Sequence, residues 1–298
     1  MAVKPDVTTT AQFTTTAREV DFATRFTDNW DALRNIMGIM RPIRKTPGTK
    51  LVSYKAEVDG EIKGGNVAEG ELIPFTKMKE SPVAYGDIKI DKYARSVTIE
   101  SVANYGAEIA VEKIDDAFLV ALQNMVLDKF YTFLKSGTLT LTPATWQQAL
   151  ARSKGKVLEK FMSMDKSITE VVGFANVEDL YEYLGDKDIT TQTMFGLTYV
   201  ENFLGYKTLF LLPDKYIKKG TVIATPVENI ELYYIDPSDS DYAKLGLNYS
   251  VAGETNLIGI HVQGDYTRAT GDLHAIMGMA LWAEYLDGIA VATVTPGG

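Results

Sequence analysis

The chain has 298 residues, of which 46% are hydrophobic and 23% are charged, and its 39 acidic and 30 basic residues give a formal net charge of −9. This length predicts one large domain or two ordinary domains with a sizeable core, and the composition excludes a disordered chain. Because the phosphate backbone calls for a concentrated basic surface, the acidic balance argues against a general nucleic-acid-binding protein.

Residues that carry catalysis or bind metals are scarce in this sequence. The chain has no cysteine and two histidines, His261 and His274, which lie in no metal-ligand spacing. It contains no glycine-rich dinucleotide motif, no phosphate-binding loop with its lysine, and no serine elbow motif. We therefore expect no catalytic residue, no cofactor and no metal, and we expect that the protein is not an enzyme.

The sequence also lacks the signals of membrane insertion and export. No segment approaches the ~18 consecutive apolar residues of a membrane span. The first residues contain no apolar run of the kind found in signal peptides. We expect the protein to be made and kept in the cytoplasm.

Residues 1–47 are predicted to form an extended arm. Two threonine clusters, at 8–10 and 14–16, disfavour helix because β-branched side chains lose rotamer freedom there. Pro42 and the pair Pro47-Gly48 are expected to break the chain. Such an arm is either disordered or fastened to another molecule. It also contains one short amphipathic piece, with apolar residues at Phe22, Phe26, Trp30, Leu33, Ile36 and Met37.

Residues 48–92 are predicted to form a long hairpin whose end projects from the body. Residues 51–58 alternate with period two, and strand-like runs return at 83–93 and 95–100. The intervening segment 59–71 is rich in glycine and charge, so it cannot build a core of its own. Loops of this length are usually functional or disordered, and a mobile surface loop explains the pattern equally well.

Residues 107–135 give the clearest helical pattern. At 1.5 Å per residue this helix is about 43 Å long, and such a length indicates a structural spine. The acid pair Asp115-Asp116 is expected on its solvent side, and the pair Glu69/Glu71 in the loop is also expected to be solvated. The apolar face is predicted to consist of Val111, Ile114, Phe118, Ala121, Leu122, Met125, Val126, Phe130, Phe133 and Leu134.

The rest of the chain has a mixed α and β pattern. The segment 236–241 resembles the opening of a calcium loop, but Leu247 stands where the bidentate glutamate belongs, so a polar turn is favoured. A helix is expected from Thr142-Pro143 to Met162, and a short one after the capping residue Asn176. Strands are expected at 168–174, 208–212, 221–224, 230–235, 258–262 and 289–294, and a helix at 273–285.

Three groups of segments together resemble the major capsid proteins of tailed bacteriophages with the HK97-type fold. The first comprises residues 67–74 and 83–100, which are similar to the extended loop of that family and its return to the body. The second group resembles the central domain of that family and comprises residues 174–181, 202–206, 220–225 and 228–234. The third group resembles the closing segment and comprises residues 259–263 and 280–291. The resemblance covers most of residues 48–296.

The resemblance implies an α+β fold with four parts. These are an N-terminal arm (1–47), an extended loop (48–92), a peripheral domain (93–144 and 256–298) with a spine helix at 107–135, and a central axial domain (145–255). The extended loop would carry the contacts between subunits, through the charged and polar residues Glu61, Lys63, Asn66, Glu69, Glu71 and Lys77.

The resemblance further implies a function and partners. The chain would form pentamers and hexamers of an icosahedral shell in the bacterial host cytoplasm, enclose double-stranded DNA without sequence-specific binding, and become part of the virion. It would assemble with a separate scaffolding protein and a portal protein. The founding member of the family links Lys to Asn covalently. Lys63 and Asn66 occur in the loop here, but no partner residues align, so the cross-link is not carried over to this chain.

Two alternatives stay open at this point. An encapsulin-like nanocompartment has the same fold but encloses protein cargo. A cytoplasmic α/β protein that binds a small molecule would instead need a defined pocket with convergent polar groups.

Overall fold

The computed structural model describes residues 40–168, 170–185, 192–194, 197–251 and 257–295, and the predicted amphipathic piece at 22–37 lies outside them. The strands form a six-stranded sheet, a seven-stranded sheet and a separate two-stranded hairpin. In chain order they are β1 Met40–Lys45, β2 Leu51–Val58, β3 Met78–Gly86, β4 Lys89–Thr98, β5 Leu139–Leu141, β6 Val171–Asn176, β7 Gln192–Met194, β8 Leu197–Phe203, β9 Tyr206–Leu212, β10 Thr221–Pro226, β11 Ile230–Ile235, β12 Ser250–Val251, β13 Ile258–Asp265, β14 Thr270–Ala283 and β15 Ala290–Thr293.

The helices of the described residues lie mostly in the first two thirds of the chain. They are α1 Ile99–Ala107, a π-helical turn at Glu108–Glu112, α2 Lys113–Leu134, α3 Trp146–Met162, α4 Val177–Leu184 and α5 Ser240–Ala243, with a 3₁₀ turn at Leu286–Gly288. None of these helices is both long and apolar enough to cross a membrane.

The six-stranded sheet is built around β14. Its order is β1-β11-β14-β13-β12, and β4 pairs with β14 along Thr270–Met279. The helix predicted at 273–285 is therefore wrong. A strand with neighbours on both sides and cover on both faces shows a continuous apolar run instead of alternation, and such a run cannot be distinguished from a buried helix by periodicity alone.

The seven-stranded sheet has helices on both faces. Its order is β5-β15-β10-β6-β9-β8-β7. Val172 and Phe174 of β6 belong to the core that contains α2, where the Phe174 ring stacks on Phe210 with centroids 5.3 Å apart. The alternate residues Val171 and Ala175 pack with α3 and α4 on the opposite face. Every residue of β6 is buried as a result.

The buried face of the long helix α2 overlaps the predicted face and also includes Leu127 and Tyr131, which were not predicted. Its buried apolar residues include Leu119, Leu122, Val126 and Phe130, whereas Ile114, placed on the predicted face, is substantially exposed. The predicted range 107–135 contains a π-helical turn at Glu108–Glu112, and Gly106, with a φ of 77°, lies just before its first residue. The regular helix ends at Leu134, close to the predicted end.

Asp115 lies on this buried face, so its predicted solvent position is wrong. It precedes Leu119 by four residues and Leu122 by seven, a spacing that puts all three on one side of a helix. The Nε atom of Arg95 on β4 donates to the Asp115 carboxylate at 2.7 Å, and both side chains are buried. Asp115, a charged residue on the apolar face of α2, is thus paired with a buried arginine of β4.

Helix starts were predicted with mixed accuracy. Asn176 caps α4 as expected, since its side chain accepts the Glu178 N–H at 2.8 Å. The helix expected from Thr142-Pro143 instead begins at Trp146, where Thr145 accepts the Gln148 N–H at 3.3 Å. Threonine is a favoured capping residue at either position, and the cap used is the one three residues later.

The last part of the predicted arm is a strand. Residues 40–45 form β1, which pairs in parallel with β11, so Pro42 does not break the chain. Proline is tolerated here because, among the described strands, β1 lies at the edge of the six-stranded sheet and has a neighbour on one side only.

Each of the two large sheets includes strands from both 145–255 and 256–298. β11 lies in the range 145–255 but pairs with β14, and β15 lies in the range 256–298 but pairs with β10. Two neighbouring segments therefore pass between the sheets, and Asn229 ties them together: its Oδ1 accepts the Tyr285 N–H at 2.9 Å and its Nδ2 donates to the Tyr285 carbonyl at 3.0 Å.

Candidate assembly surface

The hairpin of β2 and β3 is a separate two-stranded unit. Among the described strands, these two pair only with each other, from Leu51 opposite Gly86 to Val58 opposite Met78. Its base is held by a small apolar cluster in which Leu51 packs with Ile88 and Ile235. The predicted strand at 83–93 thus belongs to two strands, β3 and β4, which Asp87 and Ile88 separate.

The end of the hairpin, residues 59–77, is called the tip below. Its stem is closed by a hydrogen bond from the Asp59 N–H to the Lys77 carbonyl at 2.8 Å and by the ion pair between their side chains at 2.6 Å. Farther out, the Lys63 N–H donates to the Thr76 hydroxyl at 3.0 Å. Gly64 and Gly65 have φ of 117° and 108°, conformations that L-residues with a side chain rarely adopt. The tip is therefore shaped by local bonds and glycine, without a core.

All six residues predicted to contact other subunits are exposed on this tip. They are Glu61, Lys63, Asn66, Glu69, Glu71 and Lys77. Lys77 is engaged with Asp59, and Lys63 takes part through its backbone. The acid pair Glu69/Glu71 is solvated, as expected. The structure holds a single chain, so the contacts themselves remain a prediction.

The tip also exposes large apolar side chains that the sequence analysis did not select. The exposed fractions are 80% for Ile62, 95% for Leu72, 69% for Ile73 and 93% for Phe75. Exposed apolar surface of this kind marks interaction sites. The signal was present as the run Leu72-Ile73-Pro74-Phe75, which interrupts an otherwise polar loop.

The other candidates for chemistry have structural surroundings. His261 and His274 face each other across β13 and β14, and His274 contacts the Gln263 amide. Asp236 forms the predicted polar turn, since its carboxylate accepts the Ser238 N–H at 2.9 Å. Over the described ranges, no group of three histidine, aspartate or glutamate side chains is positioned to hold a metal ion.

Burial perturbs a few titrating groups in the seven-stranded half. Burial raises the pKa of the Tyr131 and Tyr206 hydroxyls, the second of which donates to the Leu150 carbonyl at 2.7 Å. Burial also raises the pKa of Asp179 on α4, although its carboxylate accepts the Gly220 N–H at 2.7 Å. These groups stabilise packing or loops and do not converge on a common cleft.

The fold is similar to the folds of several solved phage and encapsulin structures. A chain of Mycobacterium phage Patience superposes with a TM-score of 0.58 at 13% identity, over 97% of this chain and 91% of that chain. The mature capsid of bacteriophage PhiM1 gives 0.57 at 7% identity, over 100% and 92%. The SrpI encapsulin of Synechococcus elongatus PCC 7942 gives 0.50 at 11% identity, over 98% and 96%.

No protein-family model and no curated protein sequence matches the chain. At these identities the structural likeness establishes the fold. The chain has the mixed α and β fold of capsid-type shell proteins, which confirms the fold-level resemblance to tailed-phage capsid proteins inferred from the sequence.

Proposed function

We propose that this chain is the major capsid protein of a tailed bacteriophage, which assembles through pentamers and hexamers into an icosahedral shell around double-stranded DNA. The observation that carries the proposal is the projecting hairpin on a capsid-type fold. Its tip has no core of its own and exposes four large apolar side chains. Burying one such side chain contributes roughly 1.5–3 kcal/mol, so docking on a neighbour recovers several kcal/mol per subunit.

The four-part architecture is part of this proposal. The extended loop is 48–92, the peripheral domain with α2, β13 and β14 is 93–144 and 256–298, and the axial domain with α3 and α4 is 145–255. The tip, with Glu61, Lys63, Asn66, Glu69, Glu71 and Lys77, lies against an adjacent subunit. Residues 1–47 form an arm of which β1 is the anchored end.

The proposed partners follow from the same reading. A separately encoded scaffolding protein and a portal protein direct assembly in the bacterial cytoplasm, and the finished shell belongs to the virion. The net charge of −9 favours enclosing DNA without gripping it, because each phosphate contact requires a basic side chain.

Electron microscopy of the purified full-length protein tests the proposal. We expect shells, rings of five or six subunits, or curved sheets in negative stain, and a matching fast component in sedimentation velocity. Sedimentation as a monomer at every concentration, with a scaffolding protein present as well, would contradict the proposed function.

An encapsulin-like compartment is the second candidate, favoured by the SrpI superposition that extends over nearly the whole of both chains. The content of purified particles separates the two. Particles that package a cellular enzyme, and that form without scaffold and portal, would favour the compartment over the phage capsid.

A further inference from the structure

The only two histidines of the chain lie directly opposite each other on neighbouring strands. His261 on β13 is paired with His274 on β14 in the antiparallel register. Their separation along the chain, which includes the turn between the strands, matches no metal-ligand spacing, so the sequence alone gave no sign of the pair. The Cβ atoms of directly opposed residues are about 4.5–5.5 Å apart, and the two imidazole rings therefore share one place on the sheet.

The two rings lie on the outer face of the six-stranded sheet. The adjoining residues Ile260 and Leu273 belong to the core that contains α2. Since successive side chains of a strand point to opposite faces, His261 and His274 point away from that core. Both histidines are half-buried, so an ion from solution reaches them without any change in the packing of the core.

The neighbours of the pair hold one ring and leave space beside the other. Tyr249 packs edge-on against His261, with the ring centroids 6.3 Å apart. On the far side of the pair, Ala94 of β4 lies opposite His274 and presents only a methyl group. A side chain that is already held by its surroundings loses little freedom when it binds a ligand, and the small alanine leaves room for an ion with its water molecules.

We propose that His261 and His274 together bind a divalent transition-metal ion of the class that prefers imidazole ligands, namely Zn²⁺, Cu²⁺ or Ni²⁺. Metal–nitrogen bonds of about 2.1 Å in a tetrahedral site require the two nitrogen atoms to be about 3.4 Å apart, a separation that two opposed imidazoles reach. Each ring binds through one nitrogen and keeps the other for a hydrogen bond to the protein. This inference does not depend on the proposed capsid function.

Two protein ligands leave the other coordination positions to water. Within the described part of the chain, no third histidine, aspartate or glutamate is placed to complete the set. The amide of Gln263 lies 3.4 Å from Nε2 of His274, and because this side chain is exposed it yields that position to an ion. Asp272 lies beside His274 on the same face and accepts from the Ser96 hydroxyl, so it contributes negative charge near the site without being a ligand.

Titration calorimetry of the full-length protein, purified without a histidine tag, tests the site with zinc chloride and nickel chloride as probes. Two ligands supply about half of the binding free energy of a four-ligand zinc site, which gives a dissociation constant on the order of 1–200 μM. We expect one ion per subunit, released by EDTA. His261→Ala and His274→Ala should each weaken binding at least about tenfold, since even the loss of an outer-sphere partner of a ligand has that effect.

A matched control keeps two histidines on the same face but separates them. His274→Ala combined with Lys92→His moves the second imidazole to an exposed position of β4, two strands away from β13 and about 10 Å or more from His261. We expect this variant to bind no more tightly than His274→Ala alone. In EDTA all variants should melt at the wild-type temperature, whereas zinc should raise the melting temperature of the wild type alone by a few degrees, because the ion binds the folded chain.

Electron paramagnetic resonance with one equivalent of Cu²⁺ identifies the ligands directly. We expect hyperfine splitting from two ring nitrogens in the wild type and from one in each alanine variant. Absence of saturable binding below about 1 mM would overturn the inference. Binding that survives both alanine substitutions, or that the Lys92→His control retains in full, would show an adventitious ion at other groups and overturn it as well. Failure of the wild type to form shells would contradict the proposed function and leave the metal site intact.

Discussion

Removing the tip should abolish assembly and leave folding intact. The variant replaces residues 60–76 by Asn-Gly between Asp59 and Lys77, which are the next opposed residues after the pair Val58 and Met78. Asn-Gly suits the two-residue turn that closes such a hairpin. The segment removed contributes no residue to any of the buried clusters of the described structure.

The expected change in stability is small and favourable. Shortening the loop roughly eightfold is three halvings, and each lowers the closure cost by about 0.6 kcal/mol, so the hairpin gains about 2 kcal/mol. The ion pair of Asp59 with Lys77 is retained, and the lost hydrogen bonds between Lys63 and Thr76 are exposed and contribute little. Melting should therefore stay at the wild-type temperature or rise by a few degrees.

Calorimetry and particle counts on the same preparation check this expectation. A control of unchanged length, in which residues 61–75 become glycine and serine, should melt normally and also fail to assemble, which separates side-chain contacts from loop length. Normal shells from the truncated variant would refute the assembly role of the tip. Loss of the melting transition would show that the tip belongs to the folded core.

Two further predictions concern the body. Asp115→Ala should destabilise the protein by about 3–5 kcal/mol in urea unfolding, because it leaves the Arg95 guanidinium buried without its counter-charge. The control substitution Asp116→Ala, at the exposed neighbour, should lower the free energy of unfolding by less than about 1 kcal/mol. Equal effects of the two substitutions would contradict the buried pair. Since burial raises the folded-state pKa of Asp179, this group favours unfolding as pH rises from about 4. Asp179→Asn, which still accepts the Gly220 N–H, should have the wild-type free energy of unfolding at low pH and a higher one at neutral pH. A difference in free energy of unfolding that stays constant across that pH range would rule out the raised pKa.

The sequence predicted those elements whose signals are local. Period-two alternation predicted β2 and β13, the limits of β11 were predicted without error, and the cap at Asn176 marked the start of α4. The long apolar helix and the glycine-rich hairpin were also predicted, because each depends on side chains that are neighbours along the chain. The order of the segments that resemble tailed-phage capsid proteins, around this long helix, indicated a capsid-type fold.

Errors arose where a long-range partner decides the structure. The 273–285 segment satisfies helical spacing, but pairing with β4, β11 and β13 makes it a strand. Pro42 ends a helix or an interior strand, yet it is accommodated at the edge beside β11. The sequence predicted Asp115 to be an exposed acid, because its pairing with Arg95 on β4 depends on the tertiary structure.

The candidate site shows the same division. The sequence by itself determined that residues 59–71 are too polar and too rich in glycine to fold on their own, and it supplied the charged residues that flank the apolar run. Only the tertiary structure decided that Leu72, Ile73 and Phe75 remain exposed, and that α1 and the β13–β14 hairpin enclose an apolar cavity. Exposure and cavities depend on which distant segments pack against a residue, and no local pattern of side chains records that.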